Sequence, residues 1–159
     1  MENPDEIFTV IEILNRYPVK EVIIHPRLGG QYYSGEPDHA RFSKCLTHSK
    51  HPLVYNGNIF SISDFHKVSL VHPEVNSFML GRGILRNPFL ASQIKGFPLP
   101  DDPKTILYEF QRELFENLLK DRGKGKYFPQ GIKEFWSYLA LSFDDPEQVF
   151  DQIKRVNTT

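Results

Sequence analysis

A chain of 159 residues, 40% hydrophobic and 25% charged, has a globular composition and room for one ordinary domain or a small one with an appendage. A formal charge of −1 argues against wholesale nucleic-acid coating, and no apolar run approaches the roughly 20 residues of a membrane helix. Cys45 is the only cysteine, which excludes an internal disulfide and a cysteine-rich metal site and fits a reducing, cytoplasmic setting.

Asn3 reads as a helix cap, Pro4 as the first helical position, and Asp5 and Glu6 as first-turn acids. Ile7, Val10, Ile11 and Leu14 follow at helical spacing, predicting an amphipathic helix over 4–17 rather than a signal or transit peptide. Residues 19–25, V-K-E-V-I-I-H, form a short β-branched run, expected to be a buried strand ending at His25. Residues 26–37 are rich in Gly, Tyr and Arg and read as a functional loop. Asp38 then caps a helix to about residue 47, with Phe42, Cys45 and Leu46 facing inward.

Residues 52–55 are a second strand, ending at Asn56-Gly57-Asn58. Asn-Gly between apolar runs signals a hairpin. The residues after it do not alternate as a strand should, and Ser61-Ile62-Ser63-Asp64 opens a helix through Phe65, Val68 and Leu70. The turn therefore joins strand to helix. Residues 76–80 are the third strand, followed by Gly81-Arg82-Gly83 and a helix over 87–95.

Strand–turn–helix units recurring about every 25 to 30 residues are the rhythm of a parallel α/β fold. Each strand ends in polar or glycine residues, and in a β/α barrel all such ends lie on the face that carries the site. Gly81 and Gly83 allow a tight turn with exposed N–H groups, and Arg82 adds a cationic fork. By itself the trio is either a phosphate seat or simply a turn. Residues 96–103 hold three prolines and read as a linker. Beyond it the pattern is all helical: a long helix from Pro103 to near Gly123, a basic turn at Lys124-Gly125-Lys126-Tyr127, a helix over 129–143, and a third from Asp145-Pro146-Glu147 to about residue 156.

Taken together, the motifs resemble the C-terminal portion of the tRNA-dihydrouridine synthases, flavin enzymes that reduce uridine in tRNA. That family's sixth-strand motif, His-x-Arg with a following Gln and Tyr-Ser-Gly, is matched by His25-Pro26-Arg27 and Gln31-Tyr32-Tyr33-Ser34-Gly35. Its seventh-strand Asn-Gly-Asp is matched by Asn56-Gly57-Asn58, with Asn in place of Asp. Its eighth-strand Gly-Arg-Gly and Asn-Pro are matched by Gly81-Arg82-Gly83 and Asn87-Pro88. The resemblance implies a fold class: α/β, the last three strand–helix units of an eight-stranded β/α (TIM) barrel over 1–95, a linker over 96–103, and a small all-α helical domain over 104–159. It also implies FMN as cofactor, NADPH as electron donor and tRNA as substrate. Asn56, Gly57, Asn58, Gly81 and Arg82 are then expected at the FMN phosphate, and His25 at the isoalloxazine or ribityl portion.

The family's catalytic cysteine, in an Asn-x-x-Cys-Pro stretch, has no match here, so no catalytic residue is assigned. Cys45, mid-helix, reads as a structural thiol. Three strands cannot close a barrel of eight, so either the chain is a fragment, the preferred reading, or the missing strands come from another chain. Such a chain is expected to be inactive alone, to bind FMN weakly, and to risk self-association through its open barrel edge. Arg27, Tyr32 and Arg41 are candidate RNA contacts on the active face; the alternative is that the tyrosines only pack the loop. Lys120, Arg122, Lys124 and Lys126 form the only basic cluster, either a tRNA-phosphate contact or a solvated turn. His48 and His51 lack a third ligand for a metal, and with His39, His66 and His72 they are expected at the surface or in loops. Two rivals remain: part of another FMN-dependent barrel oxidoreductase, and a non-catalytic RNA-binding module.

Overall fold

A computed structural model describes residues 3–122 and 128–155; Lys124 and Lys126 lie outside the described residues. The chain divides into two compact units, Met1–Gly81 and Arg82–Thr159. The first is mixed α/β: α1 (Glu6–Leu14), β1 (Val22–Ile24), α2 (His39–His48), β2 (Leu53–Asn56), α3 (Ile62–Val71) and β3 (Phe78–Met79). The three strands form one parallel sheet in the order β1-β2-β3, with Ile24 opposite Tyr55 and Tyr55 opposite Phe78. Asn56-Gly57 thus links a strand to a helix, as the failed alternation after it predicts.

Local chemistry sets the helix starts. The Asp38 carboxylate accepts the Arg41 N–H at 2.8 Å, and this bond lowers the Asp38 pKa. Ser61 Oγ accepts the Asp64 N–H at 3.1 Å, and the Asp64 carboxylate in turn accepts the Phe60 N–H at 3.1 Å. The middle strand, β2, buries Leu53, Val54 and Tyr55, as expected where helices cover a parallel sheet. Around the Tyr55 ring stand Phe42, edge-on at 5.0 Å, and His39, stacked at 5.7 Å.

His72 departs from the surface position expected for it. It is 0% exposed, at the C-terminal cap of α3, and its ring lies 4.9 Å from that of Phe42. Its polar atoms are matched through one consistent proton assignment. Ser43 Oγ donates to the His39 carbonyl at 3.1 Å, which leaves the Ser43 Oγ lone pairs to accept His72 Nδ1–H at 3.4 Å. His72 Nε2 then accepts His39 Nδ1–H at 3.0 Å. A surface placement fails because these partners sit on α2, about 30 residues away, where no local pattern reveals them.

The second unit is helical among its described residues: α4 (Arg82–Arg86), α5 (Leu90–Ile94), α6 (Pro103–Arg122), α7 (Phe128–Leu139), a 3-10 turn (Ala140–Ser142) and α8 (Pro146–Arg155). Leu139 and Ala140 are buried, Trp136 stacks with Phe143 at 6.2 Å, and Phe110 meets Phe135 at 6.1 Å. The Ser142 hydroxyl donates to the Arg86 carbonyl. The Gly-Arg-Gly stretch differs from expectation. A short helix, α4, begins at Arg82 itself with Gly83 buried inside it, ahead of α5, which falls within the expected 87–95 helix. Ile84, Leu85 and Arg86 are adequate helix formers, and a buried glycine is tolerated where a side chain would not fit. Among the described residues, no helix is long and apolar enough to cross a membrane.

Burial holds the His72 pKa below the ordinary imidazole value, with the neighbouring His39 acting in the same direction and Glu74 opposing. The unfolded chain therefore binds the proton more readily, and this part of the stability is lost as pH falls below about 6.5. Thermal melts of the wild-type chain should show a lower Tm at pH 5.5 than at pH 7.5. His72→Gln should shrink that difference.

Candidate functional site

In a parallel sheet the C-terminal ends of all strands share one edge, and the motif residues of the first unit collect there. His25 follows β1, Asn56 ends β2 and Gly57-Asn58 continue from it, while Gly81 lies two residues beyond β3. His25 Nδ1 lies 2.6 Å from the Asn56 carbonyl. A carbonyl only accepts, so Nδ1 carries a proton, and in the neutral tautomer of the exposed ring Nε2 is the acceptor. The Asn56 amide approaches Met79 Sδ at 3.5 Å, and the Asn58 amide donates to Glu36 Oε2 at 3.4 Å. Nothing lies within 4 Å of where a Cβ on Gly81 would stand, so its backbone is open to approach. Arg82 is next in the chain and opens α4.

Gly57 serves a different need. A Cβ there would lie 2.3 Å from the Tyr55 hydroxyl and 2.6 Å from two ring carbons. Its missing side chain makes room for Tyr55, a residue that sequence reasoning passed over. The signal was there in principle: a tyrosine immediately before Asn-Gly in an otherwise aliphatic strand. The Tyr55 hydroxyl is buried without a partner, and its pKa is pushed up to about 12, chiefly by burial. The Arg27 charge works against that rise and Glu36 adds to it. Arg27 donates through Nη2 to the Gly35 carbonyl, while its Nε and Nη1 are buried and unpartnered. Such orphaned donors cost about 1–3 kcal/mol each, more for a charged group.

The other expected residues divide clearly. Tyr32 sits in the loop after β1, 80% exposed. Arg41 is on the first turn of α2, tied to Asp5 at 2.5 Å and Asp38 at 3.2 Å, so a phosphate has to compete with two carboxylates for it. Cys45 is 1% exposed on the inner face of α2, and burial pushes its thiol pKa up, so it lacks the character of a reactive thiolate. A cavity of about 790 Å³ adjoins these groups, lined by apolar Ile7, Ile11 and Phe42 and by polar His25, Arg27 and Gln31. Among the described residues, no group of three or more His, Cys, Asp or Glu side chains is placed to hold a metal ion.

Gly57→Ala should destabilise the chain by about 1–3 kcal/mol through overpacking. Tyr55→Phe should not restore it, because ring carbons as well as the hydroxyl crowd the new methyl group. Denaturant melts of the two single variants and the double variant measure this directly.

A sequence model described as dihydrouridine synthase matches residues 2–158. Among curated relatives, the tRNA-dihydrouridine(16) synthase of Vibrio parahaemolyticus is 25% identical over 161 residues, covering 98% of this chain and 48% of the relative. Its namesake in Neisseria meningitidis serogroup A is 29% identical over 138 residues, 84% of this chain and 41% of the relative. That of Shewanella oneidensis is 30% identical over 112 residues, 68% of this chain and 33% of the relative. The chain spans about half the length, or less, of the curated relatives it matches.

Proposed function

The chain belongs to the dihydrouridine synthase family, and from that premise we propose that it supplies the last three strand–helix units of an FMN-binding barrel, with a helical portion over 104–159, for reduction of uridine in tRNA. The observation that carries the reading is the bond from His25 Nδ1–H to the Asn56 carbonyl. It joins two motif residues 31 positions apart at one edge of the sheet.

The donor chemistry fits a flavin nucleotide. The open backbone at Gly81 and the amide of Asn56 suit phosphate or ribityl oxygens. His25, its Nδ1 proton committed, offers Nε2 as an acceptor for a flavin or ribityl donor. Gly57 and Asn58 complete the strand-end turn, and Arg82, following Gly81, brings the cation of the same motif. Glu36 is an opposing charge, and the Asn58 amide engages it. FMN, when bound, supplies the hydride, with NADPH as the source of electrons. This chain's residues bind and orient. Cys45 is buried and is not placed to donate a proton to a base, so on this reading the family's cysteine proton donor is supplied from outside these residues. Arg27, Tyr32 and Arg41 are the tRNA contacts of this reading, joined by Lys124 and Lys126, which lie outside the described residues. The outer edges of β1 and β3 have no strand partner among the described residues, which favours association through them.

The purified chain should bind unmodified tRNA with an affinity that falls steeply as salt rises. It should bind FMN weakly and consume no NADPH in the presence of that tRNA. Fluorescence titration of FMN against wild type and Asn56→Ala, with NADPH absorbance followed in parallel, makes the test. A yellow preparation that reduces tRNA by itself sinks the half-site reading, and an absence of any tRNA affinity sinks the assignment of substrate.

A further inference from the structure

The loop joining β1 to α2 is braced from end to end. The Asp38 N–H donates to the Pro26 carbonyl at 2.8 Å and closes its base. Within it, the Leu28 N–H donates to Gln31 Oε1 at 2.8 Å, and Arg27 donates to the Gly35 carbonyl. At its tip the Ser34 N–H donates to the Gln31 carbonyl at 2.9 Å, and the Ser34 hydroxyl donates to the same oxygen at 2.6 Å. Gln31 to Ser34 is therefore a four-residue turn.

Its first central residue is Tyr32, at φ 48° and ψ −111°. Those angles belong to the first central position of a type II′ turn, which is ordinarily glycine because a Cβ is strained there. Among the described residues, Tyr32 is the only non-glycine residue at positive φ. The sequence has glycines at hand, Gly29 and Gly30, yet places a tyrosine where one is needed. Among the described residues, no side-chain contact of Tyr32 compensates for this. The ring is 80% exposed and, among the described residues, has no hydrogen bond or ring contact. Strain held by a rigid scaffold, with no internal gain, points to a role in binding.

We propose that Tyr32 is a stacking platform for an unpaired RNA base. The inference rests on the tRNA reading above and adds the residue and the mode of contact. An exposed π-face beside guanidinium groups is the combination that holds single-stranded nucleic acid. Here Tyr32, Arg27, Arg41 and Gln31 line one cavity with His25. The type II′ geometry fixes the direction of the Cα–Cβ bond, so part of the ordering cost on binding is met in advance.

The test uses the full chain with two labelled probes, an unmodified tRNA transcript and a single-stranded oligouridylate, followed by fluorescence anisotropy alongside thermal melts. Tyr32→Gly should raise Tm and weaken binding to both probes about tenfold. Tyr32→Phe should bind as the wild type does. Tyr32→Leu, apolar but not aromatic, should bind as weakly as the glycine variant. A glycine variant that binds RNA as well as wild type overturns the stacking role alone. One that melts lower shows that the ring packs the loop, which also overturns it. Wild-type protein that binds neither probe overturns the tRNA reading and this inference with it.

Discussion

Tyr55 sets the terms for the strand-end edge of the sheet. Its ring is fully buried in the middle strand, and its hydroxyl is buried without a partner. Burying an aromatic ring of this size contributes about 2–3 kcal/mol, and an orphaned hydroxyl costs about 1–3 kcal/mol. The two nearly cancel. What Tyr55 contributes is shape: it fills the space between β2 and the α2–α3 layer, and it forbids any side chain at residue 57. The tight backbone after β2 follows from that exclusion, and the Asn56 carbonyl that receives His25 lies immediately before it.

Charge at this edge is arranged around the same ring. Arg27 and Glu36 both act on the Tyr55 hydroxyl, in opposite directions. Glu36 lies 3.4 Å from the Asn58 amide, an arrangement a carboxylate at residue 58 could not share without repulsion. The asparagine that breaks the family's Asn-Gly-Asp pattern is therefore matched to a local acid.

Much of the fold was legible from local signals. Capping residues Asp38 and Ser61 mark true helix starts, and the motif order anticipates the parallel sheet. The failures share a physical cause: each depends on partners distant in sequence or on backbone geometry without a compositional sign. His72 does lie in the segment just past α3, as expected, but its burial shows only when α2 supplies Ser43 and His39. Gly81-Arg82-Gly83 looks like an uninterrupted turn because glycine is read as a breaker, yet α4 starts one residue after Gly81 with Gly83 buried inside it. The strain at Tyr32 is invisible to composition, since a Gly-rich loop gives no hint that a tyrosine holds one of its positive-φ positions while Gly35 holds another. At the site, His25 and Asn56 could be read from motifs, whereas Tyr55 and Glu36 emerge only from packing.

The sheet also shows what the proposed chemistry requires from outside these residues. The Val22 N–H donates to the Pro52 carbonyl, so Val22 and Ile24 turn their amides toward β2, and alternation turns those of Ile23 outward. Ile23 is also 45% exposed. An open parallel edge of this kind carries unpaired backbone donors and acceptors beside apolar surface, which proteins ordinarily cover. The one thiol in the chain is buried on the far side of α2 from solvent, where burial suppresses its ionisation. Closing the sheet and supplying a proton donor are therefore a single requirement on the proposed reading. A polypeptide that pairs with Ile23 covers the edge and brings its own side chains to the strand ends where His25 and Asn56 already meet.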